Sequence, residues 1–399
     1  MWLIKSSIGR KFVMAITGIC LVLFVTFHVL MNSVALIWPA AYNSVCEFLG
    51  ANWYALIASA GLGLLFVIHI CYAVWLTLQN RAARGTDRYA VTARQPQVEW
   101  SSKNMLVLGI VVLAFLAVHL IQFWARMQWN ELRHAELSVL PVLNGAPVGP
   151  AQGTLMLQLA FSQWYTPVIY IIGFVALWFH MNHGFWSMFQ TIGWNGKIWL
   201  QRLKTISCWW TSIVVLLFVA QAIVFTVAAN RNYYTDNEQL QEQYAEYWEG
   251  LAQKECEDFL APIASFQAEI QQAQAEGMDV GKMQGVYQNV QANIQNYVME
   301  AGPAFMDVAK AIMDGYDAQC PLVMPDQTSP MNQLKTLYSQ VQQTLPTPAL
   351  EQPAQAAPQR QAAAPEEAPA VEGENAAAPA EEEAAAPADS AANNANNNK

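Results

Sequence analysis

The chain has 399 residues and a formal net charge of −10, but that value averages two unlike halves. Residues 1–229 carry 13 Lys+Arg against 5 Asp+Glu, a net of +8, whereas residues 230–399 carry 7 against 25, a net of −18. The basic residues of the first half sit in short loops rather than on one face and the second half is acidic, which excludes a nucleic-acid binder and divides the chain near Asn230.

Five apolar stretches in the first half reach the ~20 residues that a helix needs to cross a bilayer: about 12–37, 52–79, 104–125, 164–189 and 206–229. The first follows Lys5, Arg10 and Lys11 as a leader peptide would, but its apolar run far exceeds the ~7–15 residues of a leader's core. With the N-terminus inside, the inner segments hold Lys5, Arg10, Lys11, Arg81, Arg84, Arg88, Arg94, Lys103, Lys197, Arg202 and Lys204, and the outer loops only Arg126 and Arg133. Cytoplasmic loops collect such charge. The expected chain is therefore a multi-pass protein of a bacterial cytoplasmic membrane, with its C-terminal part outside the cytoplasm. Trp38, Trp53, Trp100, Trp124, Trp129, Trp164, Trp194 and Trp199 fall near span ends, as interfacial anchors do.

Five of the six histidines lie inside these spans: His28, His69, His119, His180 and His183. Ionisable groups are rare at membrane depth and mark functional sites. Counting helical rise from the inner edge puts His28 at ~24 Å and His119 at ~22 Å, and His69 at ~15 Å and His180 at ~13 Å. Two levels result, each served by two helices, while span five supplies none. Paired neutral imidazoles suit two haems b with both axial positions filled, a state fit for electron transfer rather than oxygen binding. The central turns of the spans contain no Asp, Glu, Lys or Arg to make a proton relay with these histidines. Gly18 and Gly109 at the inner level, and Gly61, Gly63 and Gly173 at the outer, either admit a flat macrocycle or serve plain helix packing. His183 shares the face of His180 and is open to three roles: ligand, propionate partner or loop-side contact. Arg126, seven residues beyond His119, is a candidate propionate partner or an interfacial anchor. His134 reads as a surface residue of the outer loop.

The segments GRKFVMAITGICLVLFVTFHVLMN (Gly9–Asn32) and HMNHGFWSMFQTIGW (His180–Trp194) resemble the first and fourth helices of the five-helix, di-haem cytochrome b subunits of succinate:menaquinone oxidoreductases (succinate dehydrogenase or fumarate reductase). The resemblance covers residues 1–229. It implies a flavoprotein partner that handles succinate or fumarate, an iron–sulfur subunit docked on the cytoplasmic face, and a dimer of complexes as a further association. It also implies His28 and His119 on the haem far from that subunit and His69 and His180 on the near one, with electrons running between flavin, iron–sulfur clusters, the two haems and menaquinone or another quinone. The family's quinone site lies near the outer haem, which makes Glu47, the acid of the first outer loop, the candidate proton carrier, with a solvated loop acid as its other reading. An anchor for a different dehydrogenase, such as a hydrogenase, and a haem-free membrane scaffold are the alternative functions.

The expected fold is all-α: a five-helix transmembrane bundle (1–229), a helical extracytoplasmic extension (230–345) and an Ala/Pro/Glu-rich disordered tail (346–399). Helical stretches are expected at Asn237–Lys254 and Gly281–Glu300, with breaks at Pro262, Gly277 and Pro303. Cys256 and Cys320 are expected to form a disulfide that staples an extension with little apolar core, the competing readings being two unpaired thiols or a bond from Cys46 to one of them.

Overall fold

A computed structural model describes residues 6–84, 99–194 and 196–346. Of the residues discussed above, Lys5, Arg88, Arg94 and the segment 347–399, expected to be disordered, lie outside it.

Five helices are long and apolar enough to cross a membrane. They are α1 (Ser7–Ile37), α3 (Trp53–Arg84), α5 (Met105–His119, continued by Leu120–Trp124), α8 (Tyr165–Thr191) and α9 (Lys197–Asn230). A four-residue helix, α4 (Trp100–Lys103), precedes α5. Helices α1 and α9 begin five to nine residues before the expected spans, because a helix need not stop where the hydrocarbon does. Their first turns carry Arg10, Lys11, Lys197, Arg202 and Lys204, whose long stems let charge reach water while the backbone stays helical. Ser6 caps α1, its Oγ accepting from the Gly9 amide at 2.9 Å. The chain turns at Trp38, and Pro39 opens α2 (Pro39–Ala51) at a position where no amide donor is needed.

The connection between α5 and α8, expected to be an outer loop, is more built than its sequence suggests. It contains α6 (Gln128–Leu132), a two-stranded antiparallel hairpin (β1, Val142–Leu143; β2, Ala146–Pro147) and α7 (Gly153–Phe161). Almost every α7 residue is buried. Its apolar run is too short to span and therefore carries no membrane signal. Asn43 of α2 ties it down, its Oδ1 accepting from the Thr154 amide at 2.9 Å and the Thr154 hydroxyl at 2.8 Å.

Beyond Asn230 a left-handed turn at Asn232 (φ 54°) leads through α10 (Tyr233–Asp236) into α11 (Glu238–Ala275), α12 (Val280–Gln319) and α13 (Pro330–Thr344). The expected break at Gly277 is present, with φ +66°. The breaks expected at Pro262 and Pro303 are not: both prolines lie inside continuous helices. A proline costs one helical hydrogen bond and a clash with the preceding turn. Here both sit at one level of the antiparallel α11–α12 hairpin, beside the stacked rings of Phe259 and Phe305 (centroids 4.2 Å apart), and that packing holds the helices straight through.

The extension, expected to have little apolar core, is therefore packed around one. Trp248, Tyr244, Ile312, Tyr316, Met331 and Leu334 are each 2% exposed or less. Gln319 joins it to the outer loop. Its Oε1 accepts from Trp248 Nε1 (2.9 Å) and Gln152 Nε2 (3.0 Å), and its Nε2 donates to the Pro147 carbonyl (2.9 Å). Residues 6–346 fall in one compact unit.

All six cysteines are free thiols, so the Cys256–Cys320 bond expected above is not formed. The hairpin register is the reason. Cys320 lies at the level of Trp248, which bonds the adjacent Gln319, whereas Cys256 is eight residues further along α11. Eight helical rises amount to ~12 Å, beyond the ~7 Å between Cα atoms that a disulfide tolerates. Burial pushes the Cys256 thiol up to about 11 and the Cys320 thiol up to about 12. Both are therefore expected to stay unalkylated in the native protein at neutral pH and to react fully once it is unfolded, with no reductant needed.

Candidate functional site

Helices α1, α3, α5 and α8 bring four histidines together as two pairs. The rings of His28 (α1) and His119 (α5) have centroids 5.8 Å apart and cross at 85°. Those of His69 (α3) and His180 (α8) are 6.4 Å apart and cross at 66°. Two imidazoles on opposite sides of one metal, each at a bond of about 2.0–2.1 Å, have ring centres roughly 6 Å apart. The donor set and spacing of both pairs therefore fit a bis-imidazole metal such as haem iron.

Room for a large group exists beside them. Helix α3 packs along α1 and scarcely meets α5, and its apolar core contains no buried residue. The gap is part of a cavity of about 3010 Å³ lined by all four histidines, against ~300–1,000 Å³ for ordinary small-molecule pockets. Gly61 and Gly63 border it with open space where a side chain would be. A Cβ on Gly18 would sit 3.9 Å from the His69 ring, and one on Gly109 3.6 Å from the His180 ring, so these glycines back the inner pair. Gly173 does not belong with them: a Cβ there would overlap the Phe115 ring, which makes it a helix-packing glycine.

Each pair has polar neighbours that sequence reading did not single out. His119 Nδ1 lies 3.2 Å from the Tyr170 hydroxyl, which donates to Gln122 Oε1 at 2.9 Å, and Gln122 Nε2 donates to Thr166 Oγ1 at 3.1 Å. Gln122 reaches inward because the helix widens to a π turn over Leu120–Trp124, directly after His119. Such turns recur at functional sites. His69 Nδ1 lies 3.1 Å from Thr17 Oγ1. His28 Nε2 lies 3.1 Å from Asn32 Nδ2, and Asn32 Oδ1 accepts from the Tyr42 hydroxyl at 3.1 Å. His180 Nδ1 is buried with no hydrogen-bond partner among the described residues. The available clue was the presence of Thr17, Asn32, Gln122 and Tyr170 within otherwise apolar runs.

His183 turns away from the His69–His180 pair to a charged group formed by Glu99 and Lys204. Its Nδ1 is 3.6 Å from Glu99 Oε2, and Lys204 Nζ is 2.7 Å from Glu99 Oε1. Lys204 also lies over the Trp186 ring, 4.5 Å from its centroid. Of the three roles open to His183, this geometry is that of the loop-side contact. Burial works to raise the Glu99 carboxyl, but the hydrogen bond and charge of Lys204, with a lesser effect from the nearby His183, outweigh it and hold the group below its ordinary value of 4.5. A carboxyl lowered in the folded state adds stability above its unfolded value, and that stability is lost as pH falls through the lowered one. Glu99→Gln is thus expected to lower the thermal midpoint at neutral pH, with the difference from wild type closing as the pH drops below about 4.5.

Arg126 is half-buried beyond the π turn and is not among the residues that line the cavity. Glu47, exposed on α2, lines the cavity's outer part, and so does the exposed His134, whose φ is 47°. Cys46, one residue before Glu47, is pushed up to about 12 by burial, against the opposing effect of its hydrogen bond with Tyr42. Comparison with protein families, with curated proteins and with solved structures found no match to this chain.

Proposed function

We propose that the chain is the membrane anchor and electron-transfer subunit of a succinate:quinone oxidoreductase, with His28 and His119 holding one haem b and His69 and His180 a second. The observation that carries this reading is the stacking of two histidine pairs at metal-bridging separation, from four helices, beside a cavity large enough for both groups. A bis-imidazole haem supplies one-electron transfer with no open position for oxygen. The protein's part is to hold the imidazoles, to keep water out and to set the spacing. Six helical rises separate the two levels, ~9 Å along the membrane normal. The resemblance of Gly9–Asn32 and His180–Trp194 to the cytochrome b anchors supports the choice of dehydrogenase over other di-haem proteins.

The test is purification from native membranes with two readouts. A reduced-minus-oxidised spectrum with bis-imidazole b-type bands is expected, and its absence leaves a haem-free scaffold. A flavoprotein with succinate dehydrogenase activity and an iron–sulfur protein are expected to co-purify, whereas hydrogenase subunits in their place overturn the assignment. Glu47, at the cavity's outer part, is proposed to exchange protons with the quinone. Glu47→Gln is expected to slow quinone turnover about a hundredfold or more, within the range of general acid–base effects, and to leave dye-coupled succinate oxidation unchanged. Unaltered quinone kinetics would remove Glu47 from the mechanism.

A further inference from the structure

A neutral imidazole has one N–H and one lone pair, and only the lone-pair nitrogen can take a metal. Which nitrogen that is follows from the hydrogen bonds around the ring. At His119 the neighbour is the Tyr170 hydroxyl, which has a single proton. That proton goes to Gln122 Oε1, 2.9 Å away, an atom that can only accept. Gln122 Nε2 donates in turn to Thr166 Oγ1 at 3.1 Å. The Tyr170 oxygen is left as an acceptor, so the contact of 3.2 Å to His119 Nδ1 is donated by the histidine. At His69 the argument repeats with different chemistry. Thr17 Oγ1 donates its one proton back along its own helix, to the Val13 carbonyl at 2.9 Å, with the Met14 carbonyl at 3.2 Å. Its oxygen therefore accepts from His69 Nδ1 at 3.1 Å.

We infer that Tyr170 and Thr17 are positioning residues that hold His119 and His69 in the Nδ1–H form, leaving Nε2 as the metal-binding nitrogen of one histidine in each pair. The inference rests on the proposed haem ligation. Each hydroxyl comes from a different helix than the histidine it orients: Thr17 of α1 serves α3, and Tyr170 of α8 serves α5. The other member of each pair is held differently. His28 Nε2 faces the Asn32 amide, a donor that must be displaced before this nitrogen can take a metal, and His180 Nδ1 has no partner among the described residues. One imidazole per site is thus preset by the protein. Donation from Nδ1 also makes the ligand more basic, which favours the oxidised metal and lowers its potential.

Redox titration of the purified full-length protein, followed optically, tests this without using enzymatic activity. Thr17→Val is expected to raise the potential of the inner centre alone, and Tyr170→Phe that of the outer centre alone. Thr17→Ser, which keeps the hydroxyl, is expected to restore the wild-type value. Both substitutions retain the shape of the side chain, and haem content reports whether the site survives. Unshifted potentials in haem-replete Thr17→Val and Tyr170→Phe overturn the inference, as does an equal shift of both centres in either variant. A wild-type protein without a bis-imidazole spectrum overturns instead the ligation on which the inference rests.

Discussion

Replacing His180 with alanine is expected to release half of the haem that the proposed function assigns to the chain, and replacing His69 the same half. The two rings are 6.4 Å apart, and neither has another described histidine placed to substitute for the lost ligand, since His183 is engaged with Glu99. Replacing His28 or His119 should remove the other half, leaving the inner centre intact. His183→Ala is expected to keep both haems and to loosen only the contact with Glu99. Haem-to-protein ratios and low-temperature spectra of the five variants decide the matter. A common loss in His28→Ala and His69→Ala would break the pairing by depth, and loss of a haem in His183→Ala with retention in His180→Ala would exchange the ligand.

Trp248→Ala is expected to destabilise the C-terminal domain by about 3–5 kcal/mol, the cost of truncating a fully buried large aromatic. Trp248 is 0% exposed, and its indole donates to Gln319 Oε1, the atom that also receives Gln152 from the outer loop. The truncation therefore empties the core and weakens the joint to the α5–α8 connection together. Gly315 lies against the same indole so closely that an added methyl would overlap it. Gly315→Ala alone is expected to cost roughly 1–3 kcal/mol as an overpacked core position. In the Trp248→Ala background the methyl has space, so the double variant should be less destabilised than the two single effects combined. Thermal unfolding in detergent, with limited proteolysis of residues 238–344, reads the effect; strict additivity would show that the two positions do not share one packed contact.

The five helices long and apolar enough to cross a membrane were legible because hydrocarbon imposes a length and a composition that few other constraints can mimic. All five helices lie where apolar runs occur, and errors at their ends reflect basic turns, the first of α1 and α9 and the last of α3, that remain helical beyond the apolar region. The two histidine levels were equally legible, since helical rise converts residue number into depth when a segment is straight and its direction is known. Depth says nothing about azimuth, however. Whether His183 or His180 faces His69, and whether Gly173 meets a macrocycle or Phe115, depends on how each helix is turned about its axis, which packing decides.

By itself, then, the sequence determined that the chain has five apolar helices, a change of character near Asn230, and histidines at two depths. Only the tertiary structure decided the rest. It brought the rings of each histidine pair to 5.8 Å and 6.4 Å of one another, and it turned Gln122 inward through a π turn that no apolar periodicity announces. It carried α11 and α12 through Pro262 and Pro303, and it set a hairpin register that keeps Cys256 and Cys320 apart. Local sequence encodes what a segment loses or gains by leaving water, whereas partner choice, helix rotation and register depend on side chains that meet only after the chain has folded.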